Sequence, residues 1–242
     1  MSIDKLKEII DNSNNIVFFG GAGVSTESGI PDFRSANGLY NESTKSTYSP
    51  EEILSHTFFV SHTKEFYEFY KSKMVYKDVK PNDAHVALAR LEEKGKLRAI
   101  VTQNIDGLHQ LAGSKNVFEL HGSVYINYCM KCHKFFELTH ILNSEDIPIC
   151  DECQGIIKPD VVLYQEALDE DVLEAAVNYI SKAEVLIVGG TSLTVYPASG
   201  LISYYKGNKL ILINKSHTPY DNRASLVLHD SIGEVLKACI EE

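Results

Sequence analysis

Short runs of apolar residues recur along the chain, and segments with helical spacing separate them. Apart from Arg98, the runs are apolar at every position, so each would be buried on both faces, as in the central strands of a parallel sheet. They occupy residues 16–19, 97–101, 185–188 and 210–213. The clearest helical patterns between them cover residues 82–93, 169–183 and 198–205. This alternation, with glycines at strand ends, predicts a doubly wound α/β sheet.

Two stretches interrupt the alternation. Residues 35–81 are rich in Ser, Thr, Tyr and Lys and include an aromatic helical segment, while residues 125–156 contain four of the five cysteines. We interpret both as insertions that form a second, small domain. The large domain is then predicted to comprise residues 1–34, 82–124 and 157–242.

Composition narrows the functional classes. The 242 residues include 33 acidic and 23 basic side chains, a net charge of −10, which argues against a sequence-independent nucleic-acid binder. The N-terminal sequence MSIDKLKEII lacks a signal-peptide pattern, and no apolar run approaches the roughly 18 residues that span a bilayer. We therefore expect a cytoplasmic protein without a nucleic-acid or membrane partner. The oligomeric state remains open.

Four cysteines form two C-x-x-C pairs, a spacing typical of a zinc ribbon: Cys129, Cys132, Cys150 and Cys153. Four thiolates leave no open coordination position, so such a zinc ion would be structural. Two alternatives remain, a C-x-x-C-H haem string ending at His133 and paired disulfides, and both would require export. The fifth cysteine, Cys239, is expected to be a small buried side chain.

A glycine-rich turn at residues 21–23 follows the first apolar run. Such a turn lets a phosphate approach the backbone, but the dinucleotide fingerprint is incomplete because Thr26 occupies its last position. A plain strand–helix turn is the alternative. Arg34 follows shortly after, and its planar fork suits a phosphate or carboxylate. It could instead belong to a solvated loop in which it pairs with Asp32.

Polar residues follow other predicted strands, where open α/β sheets bind ligands. Residues 102–109, TQNIDGLH, supply amides and a carboxylate after the second apolar run. His121 is a candidate base by position, although a lone histidine is more often structural. Thr191, Ser192 and Asn214 follow the later runs and could hold a second part of a nucleotide.

These strings, in this order, resemble the sirtuin family of NAD-dependent protein deacylases. The matching segments are residues 21–35, 102–109, 121–122, the two cysteine pairs, and residues 158–166, 190–198 and 213–214. The resemblance implies a Rossmann-like NAD-binding domain with an inserted small domain made of a zinc ribbon (125–156) and a helical module (35–81). It also implies NAD as co-substrate, one structural zinc ion, and acetylated or otherwise acylated lysine in proteins as substrate.

The resemblance also assigns roles by position. His121 would be the general base and Asn104 a second catalytic residue, while Val162 and Tyr164 would flank the substrate peptide. The implied NAD-binding residues are Ala22, Thr26, Phe33, Arg34, Gln103, Ile105, Asp106, Thr191, Ser192, Asn214 and Ile232. The implied reaction is deacetylation of a protein lysine, with transfer of the acyl group to ADP-ribose and release of nicotinamide.

Three positions depart from the family pattern. Gly20 stands where Thr is usual, Gln165 stands where Gly is common, and Lys73 stands where members that prefer succinyl-type acids carry Arg. Uncharged acyl groups are therefore favoured. Alternative functions are protein mono-ADP-ribosylation, deacylation of longer chains, and a binding module on an inactive nucleotide fold. The acidic excess of residues 129–153 and the intact polar residues disfavour the binding module.

Overall fold

The computed structural model describes residues 2–36, 38–41 and 47–240. Its helices are α1 (Ser2–Asp11), α2 (Pro50–Ile53), α3 (His56–Ser61), α4 (Thr63–Lys73), α5 (Asp83–Glu93), α6 (Leu108–Leu111), α7 (Leu138–Asn143), α8 (Glu170–Lys182) and α9 (Ile232–Ile240). Its strands are β1 (Ile16–Gly20), β2 (Leu97–Thr102), β3 (Val117–Glu119), β4 (Ile126–Cys129), β5 (Phe135–Glu137), β6 (Ile157–Pro159), β7 (Val185–Gly189), β8 (Lys209–Ile213) and β9 (Leu226–Leu228).

Six of these strands form one parallel sheet in the order β3-β2-β1-β7-β8-β9. The chain order reverses between β1 and β7, and ligands of open α/β sheets bind at such a switch point, beyond the carboxyl ends of the strands. The register is level there, because Gly20 pairs with both Thr102 and Gly189. Residues that follow β1, β2 and β7 therefore meet at one edge.

The sheet is buried on both faces, as its continuous apolar runs predict. Along β1, Ile16 and Phe18 pack with residues of α1, α5 and α9, whereas Val17 and Phe19 pack with residues of α8. Successive side chains of a strand point to opposite faces, so one short run supplies two cores. The predicted α/β fold with a Rossmann-like sheet is confirmed.

A separate antiparallel sheet, β5-β4-β6, packs with the aromatic helices α3 and α4 around a third core. The predicted boundary after residue 156 falls just before β6, which pairs with β4, so the small sheet reaches Pro159. Of the predicted helical module, residues 37 and 42–46 lie outside the described residues, as do Met1 and residues 241–242 of the predicted large domain. The exact division into domains remains a prediction.

The helical pattern over 198–205 forms a 3-10 helix, Ala198–Tyr204, rather than an α-helix. Gly200 and two serines lie within it, and these residues have weak α-helical propensity. Cys239 is buried in the core beside α5, as expected of a small apolar side chain. Within the described ranges, no helix combines the length and apolar content that crossing a membrane requires.

Candidate active site

The glycine turn after β1 packs directly on the end of β7. The amide of Gly21 donates to the carbonyl of Gly189 (3.3 Å), and the amide of Gly23 donates to the carbonyl of Gly190 (2.8 Å). A Cβ at residue 23 would lie 2.8 Å from the Cα of Gly190, so only glycine permits this approach. Ala22 begins a short 3-10 turn, and the Thr26 hydroxyl donates to the carbonyl of Gly23 (2.9 Å). The turn lies at the switch point.

Ser25 links the glycine turn to the segment after β2. Its Oγ donates to Oδ2 of Asp106 (2.6 Å) and accepts a hydrogen bond from Nδ2 of Asn104 (3.0 Å). The other Asp106 oxygen accepts from the amide of Leu108 (2.9 Å). Sequence reasoning did not select Ser25, although it lies inside the long string of residues 21–35. Its importance depends on a contact between segments about eighty residues apart.

Burial raises the pKa of Asp106, while the hydrogen bonds from Ser25 and Leu108 lower it in part. Burial also raises the pKa of Glu119, at the end of β3, to about 7, and the charge of Asp106 adds to this rise. The two carboxyl groups are thus held in surroundings where a negative charge is costly without polar partners.

His121 lies beside the same segment. Its Nδ1 is 2.9 Å from the carbonyl oxygen of Gln103, which can only accept, so Nδ1 carries hydrogen and the neutral ring presents its lone pair on Nε2. Burial lowers the pKa of His121, partly opposed by the bond to Gln103. A neutral imidazole with a fixed tautomer is suited to act as a base.

The NAD-binding residues predicted after β7, after β8 and on α9 differ in their burial. Thr191 is buried, and its hydroxyl accepts from Nε2 of Gln103 (3.1 Å), which ties it to the segment after β2. Ser192 is exposed, and Asn214 follows the end of β8. Ile232 begins α9 and is only 4% exposed, so its side chain belongs mainly to the core.

The loop after the glycine turn touches the predicted substrate segment. Phe33 packs edge-on against Tyr40 (5.4 Å between centroids), and the hydroxyl of Tyr40 lies 2.7 Å from that of Tyr164. Arg34 donates to the same Tyr164 hydroxyl (3.4 Å). Asp32 accepts the backbone amide of Arg34 (3.0 Å), so it shapes this loop through the main chain.

Backbone hydrogen bonds join the predicted substrate segment to the main chain of His121 and to the end of α2. The amide of Val162 donates to the carbonyl of His121 (3.0 Å), and the amide of Tyr164 donates to the carbonyl of Leu54 (2.9 Å). Ile105, from the motif after β2, packs on the small-domain core and accepts the amide of Val124 (3.0 Å). Val162 thereby lies beside the candidate base, and Tyr164 lies beside the end of α2.

Sulfur atoms of the two cysteine pairs converge in the small sheet. One ligand atom from each of Cys129, Cys132, Cys150 and Cys153 lies within 4.8 Å of all the others. The closest pairs are 3.3 and 3.6 Å apart, far beyond a disulfide bond and near the roughly 3.8 Å expected for tetrahedral sulfurs about 2.3 Å from zinc. The four-sulfur group fits one structural zinc ion.

Comparison with known proteins places this geometry in a family. The Sir2 family profile matches residues 21–197. The chain is 65% identical over 240 residues to the NAD-dependent protein deacetylase of Clostridium perfringens, covering 99% of this chain and 98% of that protein. It is 46% identical to the protein of the same name from Staphylococcus aureus (strain Mu50), with the same coverage.

Solved structures agree with the sequence relatives. One, described as "Sir2-p53 peptide-NAD+", superposes with a TM-score of 0.85 at 41% identity and covers 98% of this chain and 96% of that one. Another, described as "The Structural basis of Sirtuin Substrate Affinity", gives a TM-score of 0.89 at 41% identity, with coverage of 99% and 98%. The chain therefore belongs to the Sir2 family.

Proposed function

We propose that the protein is an NAD-dependent protein-lysine deacetylase that transfers the acyl group to ADP-ribose and releases nicotinamide. One observation carries this proposal, the 65% identity across nearly the whole chain to NAD-dependent protein deacetylases. The arrangement at the switch point supports it, because a glycine turn, amide side chains, a buried carboxyl and a neutral histidine surround one edge of the sheet.

The residues at this edge fit NAD. The glycine turn packs closely on the residues after β7, since a Cβ at residue 21 or 23 would collide with Gly190 or Thr191. Its backbone amides would hold a phosphate of NAD. When bound, NAD would supply an activated ribose from which nicotinamide departs and to which the acyl group is transferred. Gln103, Ile105 and Asp106 would line the nicotinamide and ribose pocket, and Arg34 and Phe33 would close over it. Ala22, Thr26, Thr191, Ser192, Asn214 and Ile232 would hold the remainder.

In this assignment His121 removes a proton from a hydroxyl of the bound ribose through Nε2. The carbonyl of Gln103 fixes the tautomer and orients the ring. Asn104 would be a second catalytic residue, and its side chain donates to Ser25. Ser25 positions the carboxyl of Asp106, so one network orders the nicotinamide side of the pocket.

The peptide is assigned to the segment at Val162 and Tyr164, of which Val162 is bonded to the main chain of His121. An uncharged acyl group is favoured, because position 73 is Lys rather than the Arg that members preferring succinyl-type acids carry. Peptides carrying acetyl, longer uncharged or succinyl groups test this preference directly.

The small domain supports the site by structure rather than chemistry. We propose that residues 35–81 and 125–156 form it and that residues 1–34, 82–124 and 157–242 form the NAD-binding domain. Separate cores support the division, although β6 pairs within the small sheet. A cytoplasmic location is also proposed, because four thiols grouped for metal binding suit a reducing compartment. Cell fractionation followed by immunoblotting would test the location.

The decisive experiment measures nicotinamide release with an acetyl-lysine peptide, the unacetylated peptide and no peptide. Release should depend on the acetylated peptide and should match the lysine produced. NAD labelled in its adenylate part provides the second arm. Label that remains on protein without loss of acetyl groups would favour mono-ADP-ribosylation and would contradict the proposed deacetylase.

A further inference from the structure

Three side chains converge at the carboxyl edge of β8 and β9, outside the residues assigned to catalysis. His217 and Asp221 lie in the connection between these strands, and His229 directly follows β9. One imidazole nitrogen or carboxylate oxygen from each lies within 4.8 Å of the others. Sequence spacing does not reveal this group, because the sheet brings His229 to the other two residues.

The hydrogen bonding of His229 prepares one ring nitrogen to bind a cation. Its Nδ1 lies 3.0 Å from the carbonyl oxygen of Asn214, which can only accept, so Nδ1 carries hydrogen. The lone pair of the neutral ring is then on Nε2, which lies 3.4 Å from Oδ2 of Asp221. Nε2 of His229 and Oδ2 of Asp221 are therefore two electron-rich atoms that face each other. A backbone carbonyl that fixes the far nitrogen in this way is the usual support of a metal-binding histidine.

The carboxylate of Asp221 is also held in place. Its Oδ1 accepts from the amide (3.0 Å) and hydroxyl (2.7 Å) of Thr218, which leaves Oδ2 for the two imidazoles. Nδ1 of His217 is 2.8 Å from that oxygen, and the two histidine rings are edge-on with centroids 4.3 Å apart. The three donor atoms thus lie within 4.8 Å of one another near the surface.

The spacing suits a small divalent ion. Nitrogen and oxygen ligands about 2.0–2.1 Å from a tetrahedral metal lie about 3.4 Å from one another. The His229–Asp221 distance of 3.4 Å already meets this, whereas the His217–Asp221 distance must open by about half an ångström. The His217 side chain is 86% exposed and can make that adjustment. Two imidazoles and one carboxylate are donors that zinc, cobalt and nickel bind well.

We propose that a divalent first-row transition-metal ion binds between His217, Asp221 and His229, with its remaining positions taken by water. This site is distinct from the four-sulfur site and does not rest on the proposed deacetylase function. Bound metal would join the ends of β8 and β9. Asn214 lies in the same connection and shares a hydrogen bond with His229.

Isothermal titration with Ni²⁺ tests the proposal on the tag-free, zinc-loaded protein. One additional ion per chain should bind. Absorption spectra of the same mixtures should show no thiolate-to-nickel band, because such a band would signal metal exchange at the cysteines. His217→Ala and His229→Ala should each weaken binding by about tenfold or more, and the double variant should lose it. His62→Ala, which changes a histidine on another part of the surface, should bind as the unchanged protein does.

A second readout keeps the test independent of the titration. Ni²⁺ should raise the Tm of the unchanged protein and of His62→Ala but not that of the double variant. Circular dichroism and zinc content at the cysteines verify that every variant is folded. Absence of the additional ion in the unchanged protein, or equal binding by the folded double variant, would overturn the proposal in favour of a simple surface ion pair.

Discussion

The imidazole of His121 is fixed by the main chain of Gln103, with 2.9 Å between Nδ1 and the carbonyl oxygen. The ring of His121 thus donates a hydrogen bond through Nδ1 and keeps Nε2 free to act as a base. His121→Ala should lower kcat/KM for deacetylation by about 10²- to 10⁴-fold, the range for loss of a general base. Steady-state kinetics measures this, and zinc content and circular dichroism should match those of the unchanged protein. Turnover at the original rate would remove the base assignment.

The pH profile provides a separate check on His121. Because burial lowers its pKa below the ordinary 6.5, its neutral form persists as the pH falls. The acid limb of kcat/KM should therefore lie below pH 6.5. An acid limb well above this value would contradict a buried neutral histidine as the base.

Ser25 and Asp106 should be energetically coupled. Ser25→Ala removes the hydroxyl that donates to Asp106 and also the acceptor of the Asn104 side chain. A double-mutant cycle with Asp106→Asn should give a coupling of about 0.5–3 kcal/mol in kcat/KM, since residues of one hydrogen-bond network are not additive. Ser181→Ala, on the exposed side of α8, is the matched control. Additive effects would mean that the contact has no functional role.

Zinc should be lost when one sulfur of the group is removed. Cys150→Ser should reduce the zinc content from one ion per chain to background and lower Tm, because metal binding and folding of such a lobe are linked. Metal analysis after gel filtration with a weak chelator measures the tightly held ion. Cys239→Ala alters the buried cysteine outside the group and should retain zinc. Retention by Cys150→Ser would contradict a four-thiolate site.

Two buried histidines should make the fold sensitive to acid. Burial lowers the pKa of His85 to about 4 and that of His109 to about 3, and their rings lie 4.7 Å apart. The unfolded chain binds protons near pH 6.5 and the folded chain does not, so stability falls as the pH drops below about 6.5. Each histidine contributes a loss of about 1.4 kcal/mol per pH unit until its folded pKa is reached.

His109→Leu should reduce that slope. Urea denaturation between about pH 7 and about pH 5 measures the free energy of unfolding, and His62→Ala serves as control. Neither ring nitrogen of His109 has a hydrogen-bond partner among the described residues, so the apolar replacement leaves no new unpaired group. An unchanged slope would show that other groups determine the acid sensitivity.

Gln165 occupies a left-handed backbone conformation, with φ of 77°, where glycine is favoured. Its side chain compensates, because Oε1 accepts from the amide (3.1 Å) and hydroxyl (2.8 Å) of Thr57 at the start of α3. Gln165→Ala keeps the strained backbone and loses both bonds, so it should destabilise the protein by about 1–2 kcal/mol. Gln165→Gly should cost less. Urea denaturation decides between them, and equal losses would exclude backbone strain as the cause.

Much of the fold could be predicted because its causes are local. The run before Gly20 is apolar at every position and is bounded by glycines, which favours a short strand covered on both faces. The boundary of the small domain was less predictable, because β6 joins the small sheet only through pairing with β4. Ser25 escaped selection for the same reason, since its partners come from a segment distant in sequence.

The sequence by itself determined the alternating α/β pattern, the two cysteine pairs and the family strings, because each lies within a short stretch of chain. Only the tertiary structure decided which polar groups meet. Level registers at the switch point bring Ser25 to Asp106 and Gln103 to Thr191, and the pairing of β8 with β9 brings His229 to Asp221. Hydrogen bonds and metal coordination depend on distances of a few ångströms between such segments, and strand order sets those distances.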